Sequence, residues 1–282
     1  MGGGGASPGY CTTSLGSHLA TRPTTTAYGT SVTCYQNAFT AYTAVGSALY
    51  DAVSEIELRF TDGQNGASAK STVVRVGIDL AGGTSFTAVG DFLIGPSPIN
   101  TLGGSKTSIW LPYAIPSGAR IGVVGSVNNA APGTLRCSWR ASGGARGTMF
   151  SGAAIESVGL TLASSTGTAV TPGDAAEGSW TLLGTLTNAA KYVGCGVSVD
   201  NATMATLLYH VDLSYSTDGG TTKTLLVEDM PVWTTTSESV GFDSVGKYLA
   251  LQSVPANAGI YGRAQCSGTP DAGFSMAAWA VR

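Results

Sequence analysis

Few residues of this chain are of types that do chemistry. There are two histidines, His18 and His210. An imidazole serves as a base, a proton shuttle or a metal ligand. His210 and Asp212 are two apart and share a strand face, but a metal site needs a third ligand, and neither histidine sits in an H-E-x-x-H or comparable spacing. Glu55 and Glu57 lie about 7 Å apart on one face by strand rise, with Asp79 and Asp91 further on. Paired carboxylates serve glycoside hydrolysis when a cleft buries them unequally; this pair reads as a solvated strand face. Gly5-Ala6-Ser7-Pro8-Gly9 spells G-x-S-x-G, yet a nucleophile elbow joins a hydrophobic strand to a helix. Here a glycine run precedes the serine and a proline follows it. No P-loop and no G-x-G-x-x-G occurs. The expectation is no catalytic residue, no cofactor, no metal and a non-enzymatic protein.

Binding chemistry has more candidates. Ser216-Thr217-Asp218-Gly219-Gly220-Thr221-Thr222 resembles the Asp-box turn of sialidase-type propellers, but it occurs once and reads as an Asp-Gly hairpin with a glycine bulge. Asn201-Ala202-Thr203 has the N-glycosylation spacing without a secretion signal. Trp110, Tyr113, Trp233 and Tyr248 fall near expected strand ends or loops. Exposed rings there stack on sugars or anchor interfaces, and buried ones fill a sandwich core.

The elements that would position these residues follow from composition. The chain has 282 residues, 40 of them glycine, with 43% hydrophobic and 11% charged residues and a net charge of −3. The apolar content is too high and the charge too low for a disordered chain. No basic footprint for nucleic acid exists, and no run of about 18 apolar residues for a membrane span. The N-terminus lacks the basic and apolar regions of a signal peptide. Five cysteines, Cys11, Cys34, Cys137, Cys195 and Cys266, are widely spaced, with no C-x-x-C. They read as small buried hydrophobes in a chain made in a reducing cytoplasm.

The chain also reads as written twice, at an offset of about 138 residues. Gly29–Thr33 recurs as Gly167–Thr171, Ser71–Leu80 parallels Thr206–Tyr215, and Ser108–Val124 parallels Gly246–Arg263. Trp139 and Trp279 each stand near the end of a copy. The expected division is a Gly-rich arm over 1–24, copy one over 25–142, a linker over 143–157 and copy two over 158–282. Within each copy, short alternating or β-branched runs are bounded by Gly, Pro, Asn and Asp. Ile56, Leu58 and Phe60 should face a core, with Glu55, Glu57 and Arg59 in water. Thr224–Glu228 should form a hairpin across the Asp218 turn. Asn37–Ala48 is the one stretch that could hold a short helix. The expected fold class is all-β, with two tandem β-sandwich (jelly-roll-like) domains from an internal duplication.

Trp110-Leu111-Pro112-Tyr113-Ala114-Ile115-Pro116-Ser117-Gly118-Ala119-Arg120-Ile121, with Val74–Asp79 upstream, resembles a pattern of uncharacterised tailed-bacteriophage virion proteins. Copy two follows it weakly, having Asn257-Ala258-Gly259 where copy one has Gly118-Ala119-Arg120. The resemblance implies a virion structural protein on the particle surface, in a fibre, spike or tail-associated position, contacting the host envelope. A capsid decoration (cement) protein and a carbohydrate-binding module are the alternatives. The implied partners are other virion proteins, a second copy in a homo-oligomer and a host surface glycan, without nucleic acid or membrane insertion. The implied location is the virion, assembled in host cytoplasm.

Overall fold

The computed structural model describes residues 29–61, 71–94, 107–128, 133–142, 154–199, 206–235, 239–242, 249–250, 252–270 and 272–282. Ser7, Cys11, His18, Asn201 and Tyr248 lie outside them. The first unit contains β1 (Thr30–Gln36), β2 (Thr43–Ala44), β3 (Glu55–Thr61), β4 (Thr72–Asp79), β5 (Thr87–Ile94), β6 (Thr107–Leu111), β7 (Arg120–Val127) and β8 (Gly133–Ser142). The second contains β9 (Ile155–Val158), β10 (Leu160–Thr161), β11 (Thr166–Ala169), β12 (Gly173–Asp174), β13 (Thr181–Thr185), β14 (Tyr192–Val199) and β15 (Leu208–Ser216). It continues with β16 (Thr224–Thr235), β17 (Ser239–Phe242), β18 (Leu249–Ala250), β19 (Gly259–Cys266) and β20 (Phe274–Val281). The fold is all-β and sandwich-like. Its one helical turn among the described residues is the 3₁₀ segment Leu162–Ser164.

The strand pairings of the first unit recur in the second. Thr30 stands opposite Cys137 on the antiparallel β1–β8 ladder, and Thr168 opposite Met276 on β11–β20. Each chain path then turns parallel to another strand: Cys34 beside Gly125 on β7, and Gly173 beside Gln265 on β19. Ile78 lies between Ile121 and Thr87, as Tyr215 lies between Ile260 and Thr224. Ile56 faces Leu111, and Val193 faces Ala250. The loops repeat as well. Leu49 N–H donates to Ala119 O and Gly118 N–H to Leu49 O, while Leu186 N–H donates to Ala258 O and Asn257 N–H to Leu186 O, all at 2.8–3.0 Å. Gly118 (φ 81°) and Asn257 (φ 63°) hold the same left-handed turn position, which those two residue types tolerate best.

The alternation of β3 holds on its apolar side: Ile56, Leu58 and Phe60 are buried. On the polar side Glu57 departs from expectation. It is buried, because Arg59 folds back on it with two hydrogen bonds of 3.1 Å. Asn37–Ala48 holds no helix but the short strand β2 and a bridge between Tyr35 and Ala38. The expected match of Ser71 with Thr206 is two residues out, since the ladders align Ile78, not Leu80, with Tyr215. β9 occupies Ile155–Val158 beside β20, so strand structure begins within the last residues of the expected linker. Cys34, Cys137, Cys195 and Cys266 are free and buried. Burial pushes the Cys34 and Cys195 thiols up to about 12.

Trp139 and Trp279 are not counterparts. Trp139 lies two residues after Cys137, whereas Trp279 lies three after Met276, the structural equivalent of Cys137. A one-residue step turns a strand side chain to the other face. Trp139 therefore fills the core of its own unit, where its Nε1 donates to Val45 O at 2.6 Å. Trp279 turns away from its own core and packs edge-on against Phe92 of the first unit, at 5.3 Å between ring centres.

That contact belongs to a seam between the units. Strand β5 lies against β9, β14 and β20. Tyr192, Trp279 and Val281 join the core of the first unit, and Val73, Leu93 and Ala277 form a smaller cluster. Gly196 is required there because a Cβ would overlap the Leu93 carbonyl oxygen. Buried hydroxyls pair across the seam at 2.7 Å, Ser71 with Ser198 and Ser126 with Ser165, and Ser157 Oγ donates to Asp91 O at 2.6 Å. With these hydroxyls bonded and its apolar groups buried, the seam packs the two units against each other, and Trp279 Nε1 is the one buried polar atom in it without a partner among the described residues.

Candidate functional site

Two places gather the residues best placed to meet a ligand or partner. The first is the loop end of the first unit, where three turns converge. Residues 46–50 are tied to Gly118 and Ala119 through Leu49. Asp79 organises the second turn, its carboxylate accepting from Ala81 N–H at 2.8 Å and Ser85 N–H at 2.7 Å. A Cβ on Gly82 would approach Gly118 O to 2.5 Å, so the second and third turns touch. Arg120 secures the first, donating from Nε to Gly46 O at 3.1 Å. From this bonded base Tyr50 and Leu80 project with 85% and 69% exposure, the highest values among the large apolar side chains described. Leaving such side chains in water forgoes about 1.5–3 kcal/mol each, which a partner recovers on covering them. The corresponding end of the second unit is polar. Its turn holds Asp218, whose carboxylate accepts from Ser216 Oγ at 2.6 Å and from Thr222 N–H at 2.9 Å. These bonds, the Ser216 hydroxyl first, lower the Asp218 pKa to about 2.

The second place is the outer sheet face of the second unit. Arg263 on β19 donates from Nε to Asp212 Oδ2 at 2.7 Å, pairs through its other arm with Glu177 Oε2, and lies 4.4 Å over the Trp180 ring. Asp212 is buried, and its other oxygen accepts Asp229 N–H at 2.7 Å. Asp229 sits at a bulge of β16 with φ 53° and brings its carboxylate within 3.4 Å of His210 Nδ1. Asp212 and His210, read together from the sequence, thus take separate partners, Arg263 and Asp229. No cluster of three His, Cys, Asp or Glu suited to a metal exists among the described residues.

The remaining sequence candidates are dispersed. Glu57 is held by Arg59, Asp79 shapes its turn, and Asp91 binds Arg75 in a two-pronged pair of 2.7 and 2.8 Å. That bond to Asp91 raises the Arg75 pKa. Trp110, Tyr113 and Trp233 are half-buried on sheet and turn positions. Sequence reading missed Tyr50, Leu80 and the Arg263–Trp180 stack. The first two sit on turns whose convergence is set by long-range pairing, and Arg263 lies 51 residues from the aspartate it binds.

No family model matches the chain, and no curated protein matches its sequence. Among solved structures it is similar to PNGase F, a glycosylasparaginase from Flavobacterium meningosepticum. The identity is 8% over 89% of this chain and 94% of that one, with a TM-score of 0.33. It is also similar to the CBM22-1-CBM22-2 tandem domain of Paenibacillus barcinonensis Xyn10C, with 11% identity over 92% and 84% of the chains and a TM-score of 0.24. These likenesses assign no residue and no substrate to this chain. The expectation of a non-enzymatic protein is corrected by them all the same. Structures similar to this chain include an enzyme, and a lack of familiar catalytic motifs is not a lack of activity.

Proposed function

We propose that this chain is a surface structural protein of a bacteriophage particle, in a fibre, spike or tail-associated position, and that the loop end of its first unit meets the host envelope. One observation carries the reading. The segments that resemble phage virion proteins, Val74–Asp79 and Trp110–Ile121, build the end from which Tyr50 and Leu80 project. Rigid turns displaying apolar side chains are suited to docking, because little conformational entropy is lost on contact. Tyr50 favours a second reading of the same end, in which its exposed ring stacks on a sugar of the host surface. The test is binding of the purified chain to host cell envelopes, with a Tyr50→Ser, Leu80→Ser double variant beside it. The reading expects binding that the variant lowers at least tenfold without loss of melting temperature. Equal binding by both proteins would reject this end as the contact.

A further inference from the structure

The shared frame gives each position at the loop end of the first unit a counterpart in the second. Leu49 and Leu186 make the same backbone bonds to the facing turn, which matches Tyr50 with Thr187. Ile78 and Thr87 span a turn as long as that between Tyr215 and Thr224, which matches Leu80 with Thr217. Ile121 and Ile260 hold one ladder position, which matches Arg120 with Gly259. The same frame therefore closes on two exposed threonines and a glycine. Folding alone does not call for a tyrosine, a leucine and an arginine at these places. The polar groups of this end are also largely spent. Ala81 and Ser85 N–H donate to the Asp79 carboxylate, Gly82 N–H to Asp79 O, and Leu49 and Gly118 N–H to the facing turns. Residues 46–50, 80–86 and 112–119 carry no charged side chain, and Asp51 beside them is already engaged. Arg120 is the exception. It is half-buried, its Nε bonds Gly46 O, and its two terminal nitrogens have no partner among the described residues.

The geometry points to a phospholipid surface as the partner of this end. Tyr50 and Leu80 enter the boundary between headgroups and acyl chains, where an aromatic ring with a polar tip is favoured. Arg120 meets the lipid phosphates through its free nitrogens, a charge complement that the uncharged turns do not oppose. The turns lose little by leaving water, because their bonded backbone groups bring their partners with them. A sugar is held by several directed hydrogen bonds beside the stacked ring, and this end has few polar groups left to make them. Only turn side chains reach the lipid, and no strand enters the hydrocarbon. Two side chains and one cation hold a surface weakly, so copies displayed together on one particle bind far better than one. The inference rests on the reading that this end meets the host envelope, and it names lipid as the component met.

Flotation of the full chain with excess vesicles is the test, using phosphatidylcholine alone and phosphatidylcholine mixed with phosphatidylglycerol. The chain should float with both. A Tyr50→Thr, Leu80→Thr variant should bind either at least about tenfold less, and Arg120→Gly should bind the mixed vesicles about fivefold less. Each substitution installs the residue that the second unit holds at the matching place, so the melting temperature should not change. A chain that ignores both vesicles would overturn the inference, as would flotation indifferent to the double variant. Binding to whole host envelopes is read beside it. Envelope binding that needs Tyr50 and Leu80, without vesicle binding, overturns lipid alone and turns the partner to a glycan or a protein. Envelope binding indifferent to both side chains overturns the reading of this end itself.

Discussion

On the outer face of the first unit the middle strand carries a cation; at the matching place in the second unit it carries an anion. Arg75 on β4 pairs with Asp91 on β5 and lies 4.3 Å over the Phe39 ring. Asp212 on β15 takes its arginine, Arg263, from β19 on the other side, with Trp180 as the ring. The shared element is the arrangement, an ion pair capped by an aromatic ring, and the sign on each strand is interchangeable. The depth differs. Arg75 and Asp91 are 30% and 18% exposed, against 5% for Asp212. Neighbouring positions follow the same logic. In the first unit Gly77 and Gly122 leave room for the tilted ring pair of Tyr42 and Phe86; in the second, Ser214 and Tyr261 fill those positions and Lys223 lies 4.9 Å over Tyr261. Equivalent frames are thus covered by different local devices, and only the first unit has its edge sealed by the other.

The largest expected effect comes from breaking that seal. Gly196→Val would drive a side chain into the Leu93 carbonyl and should cost more than about 3 kcal/mol. Denaturant unfolding followed by tryptophan fluorescence and circular dichroism should then separate into two transitions. The structurally matching Arg59→Gly loses only the two bonds that Arg59 makes to Glu57 within its own strand and should leave unfolding a single transition.

Depth sharpens the comparison next. Asp212→Ala leaves Arg263 and the Asp229 N–H without their buried acceptor and should cost about 3 kcal/mol. Asp91→Ala breaks a more exposed pair and should cost about 1 kcal/mol. Equilibrium unfolding of both variants checks the order, and equal losses would contradict the burial argument.

The two tryptophans give a smaller contrast. Trp139→Phe strands the Val45 carbonyl, whereas Trp279 Nε1 has no partner to lose. Trp139→Phe should therefore be the more destabilising of the two by about 1–2 kcal/mol, read from thermal or denaturant unfolding.

The least effect is a matter of pH. The Asp218 pKa is depressed, so its turn bonds are fully present above the ordinary aspartate range and are lost as pH falls toward about 2. Amide exchange of Thr222 should speed up over that interval, while the first-unit turn around Gly118, which holds no such carboxylate, should be unaffected.

Much of the frame was legible from local pattern. Ile56, Leu58 and Phe60 declare a half-buried strand by alternation, and Asp218-Gly219 declares the β15–β16 hairpin. The pair Ile115-Pro116 and Val254-Pro255 marks turns that carry the same hydrogen bonds in both units. The seam was not legible, because Gly194, Gly196 and Ser198 look like any Gly-rich strand until Leu93 is placed against them. Trp279 misled for a physical reason: standing one position further along its strand than Trp139 keeps the apparent repeat while reversing the face. Arg263 and Asp212 are joined by a register that local sequence does not reveal. Tyr50 and Leu80 look like ordinary core residues by type, and only the converging turns leave them outside.

The central functional claim is a place on a phage particle, and immunogold labelling of purified particles from the source, viewed by electron microscopy, tests it most directly. The account predicts label confined to a tail or vertex. Label spread evenly over the shell would turn the assignment to capsid decoration, and particles without label would contradict the claim itself.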